Sequence, residues 1–253
     1  MHVSLILPAY NEEANLQQVI NECMTELKHS RLTYHIFAVD DGSTDRTAEL
    51  ISTLAIQNNC LTGIYLKENL GFGGAVRAGI LYAKVSEMVV WKTDHWLVIM
   101  DADGQLKLSD WLRCEPWLEP DIDLWWGIRE RRAEGIGRKV ISRVYNTLCR
   151  VALGTPEVED VDCGLKAIRS QFIPDDLPSV RGATINPVLF ASALRQGAKV
   201  RQFAVRHLLR QYGHPTGLSP KVITRSLKEL VALAVRKKAY GFKCKELTNE
   251  SQS

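Results

Sequence analysis

The chain has 253 residues, 45% hydrophobic and 24% charged, with 32 basic against 29 acidic side chains and a net charge of +3. These are ordinary globular values, and they exclude intrinsic disorder, collagen and a disulfide-stapled mini-protein. A chain of this length buries roughly 70–75% of its unfolded surface and folds without staples. The near-even charge gives no bulk attraction for nucleic acid, so no nucleic-acid partner is expected. Cys23, Cys60, Cys114, Cys149, Cys163 and Cys244 are scattered without a CxxC pair. They are expected to be reduced thiols of a cytoplasmic protein. The N-terminal apolar run lacks a basic leader, and no stretch of 18 apolar residues spans a bilayer.

In chain order, Val3 to Leu7 predicts a strand ending at Pro8. Glu12 to Leu27 predicts a helix with Leu16, Val19, Ile20, Cys23 and Leu27 on one face. Tyr34 to Val39 is the next strand, stopped by Asp40-Asp41-Gly42-Ser43. Ser43 or Thr44 is expected to cap a helix over Asp45 to Gln57. Leu61 to Leu66 is a third strand, Gly74 to Lys84 a third helix, and Trp96 to Met100 a fourth, fully apolar strand. Alternating strands and helices predict an α/β fold: a mostly parallel sheet flanked by helices.

The second half is less regular. Asp123 to Gly127 and Val200 to Val205 read as strands. Ile136 to Leu153 reads as a helix with Ile136, Val140, Val144, Leu148 and Val151 on its apolar stripe. Pro187 to Gln196 and Pro220 to Lys238 also read as helices. The last is basic and amphipathic: Ile223, Leu227, Leu230, Val231 and Ala234 share a face, ringed by lysine and arginine. Such a helix either packs on its own domain or lies on anionic lipid. Trp111, Trp117, Trp125 and Trp126 read as core. The expected division is one domain over 1–215, the basic helix over 216–242 and a flexible tail over 243–253.

Chemistry concentrates at strand ends. Asp101-Ala102-Asp103-Gly104-Gln105 follows a buried strand. That places two carboxylates and an amide at the carboxyl edge of the sheet, where open α/β folds bind ligands. Oxygen donors of this kind suit a hard divalent cation, which would neutralise a leaving diphosphate. Asp40-Asp41 and Pro8-Ala9-Tyr10-Asn11-Glu12 end two earlier strands. Tyr10 could stack on a base, and Glu12 or one of the paired aspartates could accept from a ribose or base. Gly71-Phe72-Gly73-Gly74 is a poor dinucleotide fingerprint, since it follows the third strand and lacks the downstream acid.

Pro8-Ala9-Tyr10-Asn11-Glu12, Asp40-Asp41-Gly42-Ser43-Thr44-Asp45, Asn69-Leu70-Gly71-Phe72-Gly73-Gly74-Ala75 and Asp101-Ala102-Asp103-Gly104-Gln105 together resemble the family 2 glycosyltransferases of the GT-A fold. The resemblance implies that Pro8, Tyr10, Glu12, Val39 and Asp41 line the nucleotide pocket, with Asp101, Ala102 and Asp103 facing the nucleotide sugar. It implies that Asp101, Asp103 and Gln105 hold Mn2+ or Mg2+. The second half is similar to the dolichol-phosphate mannose synthase group and its bacterial polyprenyl-phosphate relatives. The likeness rests on Gly127-Ile128-Arg129, Arg138-Lys139-Val140-Ile141-Ser142, Asp160-Val161-Asp162-Cys163-Gly164-Leu165-Lys166 and Arg210-Gln211-Tyr212-Gly213. By that likeness Arg129, Arg138, Ser142 and Arg210 contact phosphates of acceptor or donor.

The expected activity is metal-dependent, inverting transfer of a sugar from a GDP- or UDP-sugar to a dolichyl or undecaprenyl phosphate. The place of one cationic phosphate contact of the group is taken by Thr216-Gly217. The C-terminal membrane-spanning pairs of many relatives have no counterpart in the sequence, so peripheral attachment to the cytoplasmic face, or a membrane-protein partner, is expected. Two alternatives stay open. A hydroxyl acceptor would need a base, for which Asp160 or Asp162 could serve. A non-catalytic nucleotide-sugar binder would not need the paired aspartates.

Overall fold

The structure is a computed structural model and describes residues 1–30, 32–86, 94–115, 119–130, 144–151, 158–212 and 220–239. β1 (His2–Ala9) is an interior strand of the sheet, buried along nearly all its length. It pairs in parallel with β2 (Thr33–Asp40) on one side and β4 (His95–Ile99) on the other, and β2 pairs in parallel with β3 (Leu61–Tyr65). The sheet continues through β5 (Leu124–Arg129), β6 (Lys166–Arg169) and β7 (Val200–Val205), in the order β3-β2-β1-β4-β6-β5-β7. β6 alone runs against its neighbours, antiparallel to β4 and β5, while β5 and β7 are parallel. Because β1, β2 and β4 are parallel, their carboxyl ends emerge on one edge.

The expected strands and helices are present among the described residues, with displaced ends; of the helix expected over Ile136 to Leu153, only 144–151 lie among the described residues. α1 (Leu16–Ser30) buries the predicted stripe and adds Met24. It begins four residues after Glu12, because Asn11 takes a left-handed φ of 55° and the Glu12 carbonyl accepts from Asn15 N at 3.0 Å in a tight turn. α2 (Thr47–Gln57) is not capped by Ser43 or Thr44. Arg46 holds the cap position without a side-chain bond, and Asp45 accepts from the Thr47 N–H at 2.9 Å. Ser43 and Thr44 instead tie the β2 end to the β1 end: Asn11 N donates to Ser43 Oγ at 3.0 Å, and Thr44 N donates to Asn11 Oδ1 at 2.8 Å.

α3 (Gly71–Ser86) starts three residues earlier than expected. Gly71 has a φ of 76°, and a Cβ there would stand 2.3 Å from the Arg181 carbonyl oxygen. The glycine run therefore serves backbone-to-backbone packing against 180–182. β6 was not anticipated; four residues are too few for a strand's alternation to show.

Two apolar layers cover the sheet. α1 and α2 lie over one face; α3 and α6 (Ile185–Arg195) lie over the other. Trp96, Trp111, Trp125 and Trp126 are all buried, and Trp126 meets Phe190 edge-on at 5.0 Å. Trp117 lies outside the described residues.

Two helical stripes are corrected. α4 (Ser109–Leu112) is a single turn after the aspartate loop, and residues 144–151 form α5. On α5 the expected core residues Val144, Leu148 and Val151 are 55%, 41% and 79% exposed. Cys149 and Asn146 are buried instead, and Asn146 donates to the Glu159 carbonyl at 2.8 Å. A polar residue that bonds a part-buried backbone carbonyl takes the place of the apolar stripe. On α7 (Pro220–Ala239) the buried line is Ser226 and Leu230, with Leu233 partly covered; Leu227 and Val231 face outward.

Candidate active site

Polar groups from the ends of β1, β2 and β4 meet on the shared edge, and a segment after β7 crosses it. Glu12 follows β1. Its backbone N–H donates to Thr47 Oγ1 at 2.9 Å, and its Oε2 accepts from Asn15 Nδ2 at 2.7 Å. Its Oε1 accepts from Arg210 Nη2. Burial raises the Glu12 pKa, and the bonds from Asn15 and Arg210 only partly oppose this. Tyr10 stands half exposed beside it, and Pro8 and the buried Val39 close the adjoining strand ends.

Asp40 and Asp41 both serve the backbone. Asp40 Oδ1 accepts from Ser43 N at 3.2 Å and closes its own turn. Asp41 Oδ1 accepts from Leu70 N at 2.7 Å and ties β2 to the start of α3. Burial raises the Asp41 pKa against those backbone bonds. Asp41, which the resemblance places in the nucleotide pocket, is thus engaged with the backbone at the entry to α3.

Asp101 and Asp103 follow β4, with Ala102 buried between them. Asp103 Oδ1 accepts from Gln105 N at 3.0 Å, and its Oδ2 accepts from Arg210 Nη1 at 3.3 Å. The third Arg210 nitrogen, Nε, donates to the Tyr212 carbonyl at 2.7 Å. Gln105 Nε2 donates to the Leu208 carbonyl at 3.0 Å. Asp101 Oδ1 is buried without a hydrogen-bond partner. Burial, reinforced by Asp103, pushes the Asp101 pKa up to about 6. A Cβ at Gly164 would stand 2.1 Å from Asp101 Oδ2, so only glycine leaves Asp101 its place.

Arg129 ends β5. Its Nε and Nη2 donate to Asp160 Oδ2 and Oδ1 at 2.6 and 2.8 Å, a bidentate pair with side chains 15% and 4% exposed. Burial alone would lower the guanidinium pKa; the Asp160 bonds outweigh it and raise it. Two expectations change. Asp160 is a counter-ion whose two oxygens are both engaged, which makes it a poor base. Arg129, expected on a phosphate, commits Nε and Nη2 to Asp160. Arg138 and Ser142 lie outside the described residues.

Sequence reasoning missed Lys166, which is fully buried below the aspartates. Its Nζ donates to Asn186 Oδ1 at 2.7 Å and lies 5.2 Å from the Trp126 ring centroid. Burial lowers its pKa, while Asp101 and Asp162 oppose that. Its only signal was its place at the end of the Asp160–Lys166 motif.

Asp162 accepts from Asn186, but its Oδ1 is buried without a partner, and burial pushes its pKa from 3.8 up to about 6. A folded-state pKa above the unfolded one contributes stability that is complete below pH 3.8 and lost as pH rises through about 6. Asp162→Asn should therefore stabilise the fold at pH 7.5 by about 3 kcal/mol. The gain should vanish near pH 4, and denaturant titrations at both pH values check it. A gain that is equal at both would remove titration as its cause.

Comparison with known proteins agrees with this geometry. Residues 4–171 match the glycosyl transferase family 2 profile. The undecaprenyl-phosphate 4-deoxy-4-formamido-L-arabinose transferase of Proteus mirabilis is 30% identical over 83% of the chain and 61% of its own length. The same-named protein of Serratia proteamaculans is 28% identical over the same shares. The chain thus spans about 61% of the length of these relatives. Among solved structures, glucosyl-3-phosphoglycerate synthase of Mycobacterium tuberculosis superposes with a TM-score of 0.63 at 19% identity, over 92% of this chain and 80% of that one. A Pyrobaculum calidifontis mannosyltransferase, in complex with GDP-Man and Mn2+, gives 0.56 at 17% identity over 94% and 75%. These likenesses share the GT-A fold. With a profile match over more than half its length, and with acidic strand ends facing Arg210 across one sheet edge, the chain belongs to glycosyl transferase family 2.

Proposed function

We propose that the protein is a metal-dependent, inverting glycosyltransferase that moves a sugar from a GDP- or UDP-sugar to a polyprenyl phosphate. The observation that carries the reading is the pairing of Arg210 with Asp103 and Glu12 at the carboxyl edge. It sets a diphosphate-binding cation beside metal-binding oxygens. The relatives named as undecaprenyl-phosphate transferases supply the acceptor class.

Asp101, Asp103 and Gln105 would hold Mn2+ or Mg2+. Their donors are all oxygens, and Asp101 Oδ1 is a buried ligand atom without a partner. Among the described residues no group of three or more His, Cys, Asp or Glu side chains is placed to hold an ion. Donor phosphate oxygens and water would complete the shell, as Mg2+ and similar hard ions prefer. When bound, the ion neutralises the charge that develops on the leaving diphosphate.

The chain's own residues do the rest. Arg210 keeps the acidic edge near neutrality before the donor arrives, then exchanges carboxylate for phosphate oxygens. The acceptor phosphate is already anionic and needs no base. Arg129 Nη1, Arg138 and Ser142 would steer it in line. Its oxygen attacks the anomeric carbon, the bond to the diphosphate breaks, and the electron pair leaves with the diphosphate.

Among the described residues no helix is long and apolar enough to cross a membrane. The exposed Leu227 and Val231 on α7, beside exposed Arg225 and Lys228, suit contact with anionic lipid or with a membrane-protein partner. A second reading, a hydroxyl acceptor, is favoured by Asp162 alone, whose unpartnered oxygen and pKa of about 6 fit a base.

The test is incubation with Mn2+, short-chain polyprenyl phosphate and labelled nucleotide sugars, followed by counting label in the organic phase. Label from one donor is expected. Release of free sugar with no organic label would discard the lipid acceptor. Tight donor binding with no turnover on any acceptor would revive the binder.

A further inference from the structure

Arg210 is carried by a strap, residues 206–212, that leaves β7 and crosses the sheet edge. A segment without secondary structure of its own holds a guanidinium in place only if its backbone is fastened. The strap is fastened at its root by Asp110, from the single-turn α4 that follows the Asp101–Gln105 loop. Asp110 Oδ2 accepts from the Arg206 backbone N–H at 2.9 Å, and its Oδ1 accepts from Arg206 Nε at 2.9 Å. Arg113 Nη2 donates to the same Oδ1. The Asp110 side chain is 0% exposed, while Arg206 and Arg113 are 49% and 58% exposed. This is an engaged, buried anion with solvated cations around it.

The fastening continues along the strap. Leu208 N donates to the Gln105 carbonyl at 2.9 Å, and Gln105 Nε2 returns to the Leu208 carbonyl at 3.0 Å. Asn15 Nδ2, which also holds Glu12, reaches the Tyr212 carbonyl at 3.4 Å. The strap is thus joined to the aspartate loop before Arg210 and to the turn after β1 beyond it, and among the described residues Asp110 is the one charged side chain that anchors the strap's backbone at its root.

We infer that Asp110 is a positioning residue for the donor diphosphate: it clamps the exit of β7 so that Arg210 is delivered opposite Asp103. The inference rests on the donor reading above, and it assigns Asp110 no contact with substrate. Loss of the clamp lets the strap take other positions, which lowers the fraction of protein with Arg210 in place and weakens diphosphate binding by that fraction.

The test is a double-mutant cycle read by calorimetric binding of UDP, and separately of GDP, in the presence of Mn2+. Asp110→Asn should weaken binding of the preferred nucleotide about tenfold, the size of coupling expected between residues of one network. Arg210→Ala should weaken it at least as much. In the Arg210→Ala background, Asp110→Asn should add nothing, because its whole effect passes through Arg210. A purely structural Asp110 would weaken binding by the same factor in both backgrounds, and that result overturns the inference. So does tight binding by a folded Asp110→Asn. If Asp110→Asn does not fold by circular dichroism, Asp110→Glu takes its place, since it keeps the charge that Arg206 and Arg113 neutralise but displaces the oxygen that holds the Arg206 backbone N–H. The same cycle then decides. If the unmodified protein binds neither nucleotide, the donor reading itself is wrong, and this inference falls with it.

Discussion

Asp103→Ala should reduce sugar transfer by about 10²–10³-fold in kcat, the loss typical of removing one preorganised electrostatic contact at a developing charge. The change removes a metal-binding oxygen and also frees Arg210 Nη1, which donates to Asp103 Oδ2 at 3.3 Å. Arg210 then has Glu12 as its only carboxylate partner. The fold should be unaffected, because Asp103 is a loop residue and its Oδ1 serves only the N–H of Gln105. The checks are initial rates across a Mn2+ titration, with a melting curve alongside. Near-normal turnover would mean that Asp103 is not part of the metal site. Full recovery at high Mn2+ would place its role in ion affinity and not in the transition state.

Asp160→Ala should be the most damaging change to stability. The Arg129 guanidinium is 15% exposed and receives its compensation from the two Asp160 oxygens. Removing one member of a buried pair leaves an uncompensated charge, at a cost of about 3–5 kcal/mol. In a chain of this size that lowers Tm by roughly 10 °C. Replacing both residues by apolar ones should recover much of the loss, since the pair's cost is mainly desolvation. Melting curves of the single and double variants test this. A single variant that melts with the parent would show that Arg129 finds another partner or water.

The two variants separate two kinds of engagement. Arg210 divides its nitrogens among Glu12, Asp103 and the Tyr212 carbonyl, so each bond can be replaced singly. Arg129 places Nε and Nη2 on the two oxygens of Asp160, and the fully buried Lys166 donates to Asn186, so neither gives up its partner without loss to the fold.

Much of the fold was legible because the sheet's first four strands are long, apolar and separated by helices with a clear 3.6-residue period. Parallel order then forces the ends of β1, β2 and β4 onto one edge, so the convergence of their motifs follows from the sequence pattern alone. The α5 stripe misled because Val144, Leu148 and Val151 have helical spacing yet face outward. Periodicity identifies a face; it does not say which face a neighbour covers. Asn146 decided the matter by meeting the Glu159 carbonyl.

The sequence by itself determined the α/β class, the strand-end location of the chemistry and the family's motifs, since each rests on local pattern and spacing. The tertiary structure alone decided the partners. It joined Arg210 to Glu12 and Asp103, Arg129 to Asp160, and Asp110 to the root of the strap. Those contacts link residues from 31 to 198 positions apart. Charge pairing at such separations depends on where the chain returns, and no local propensity encodes it.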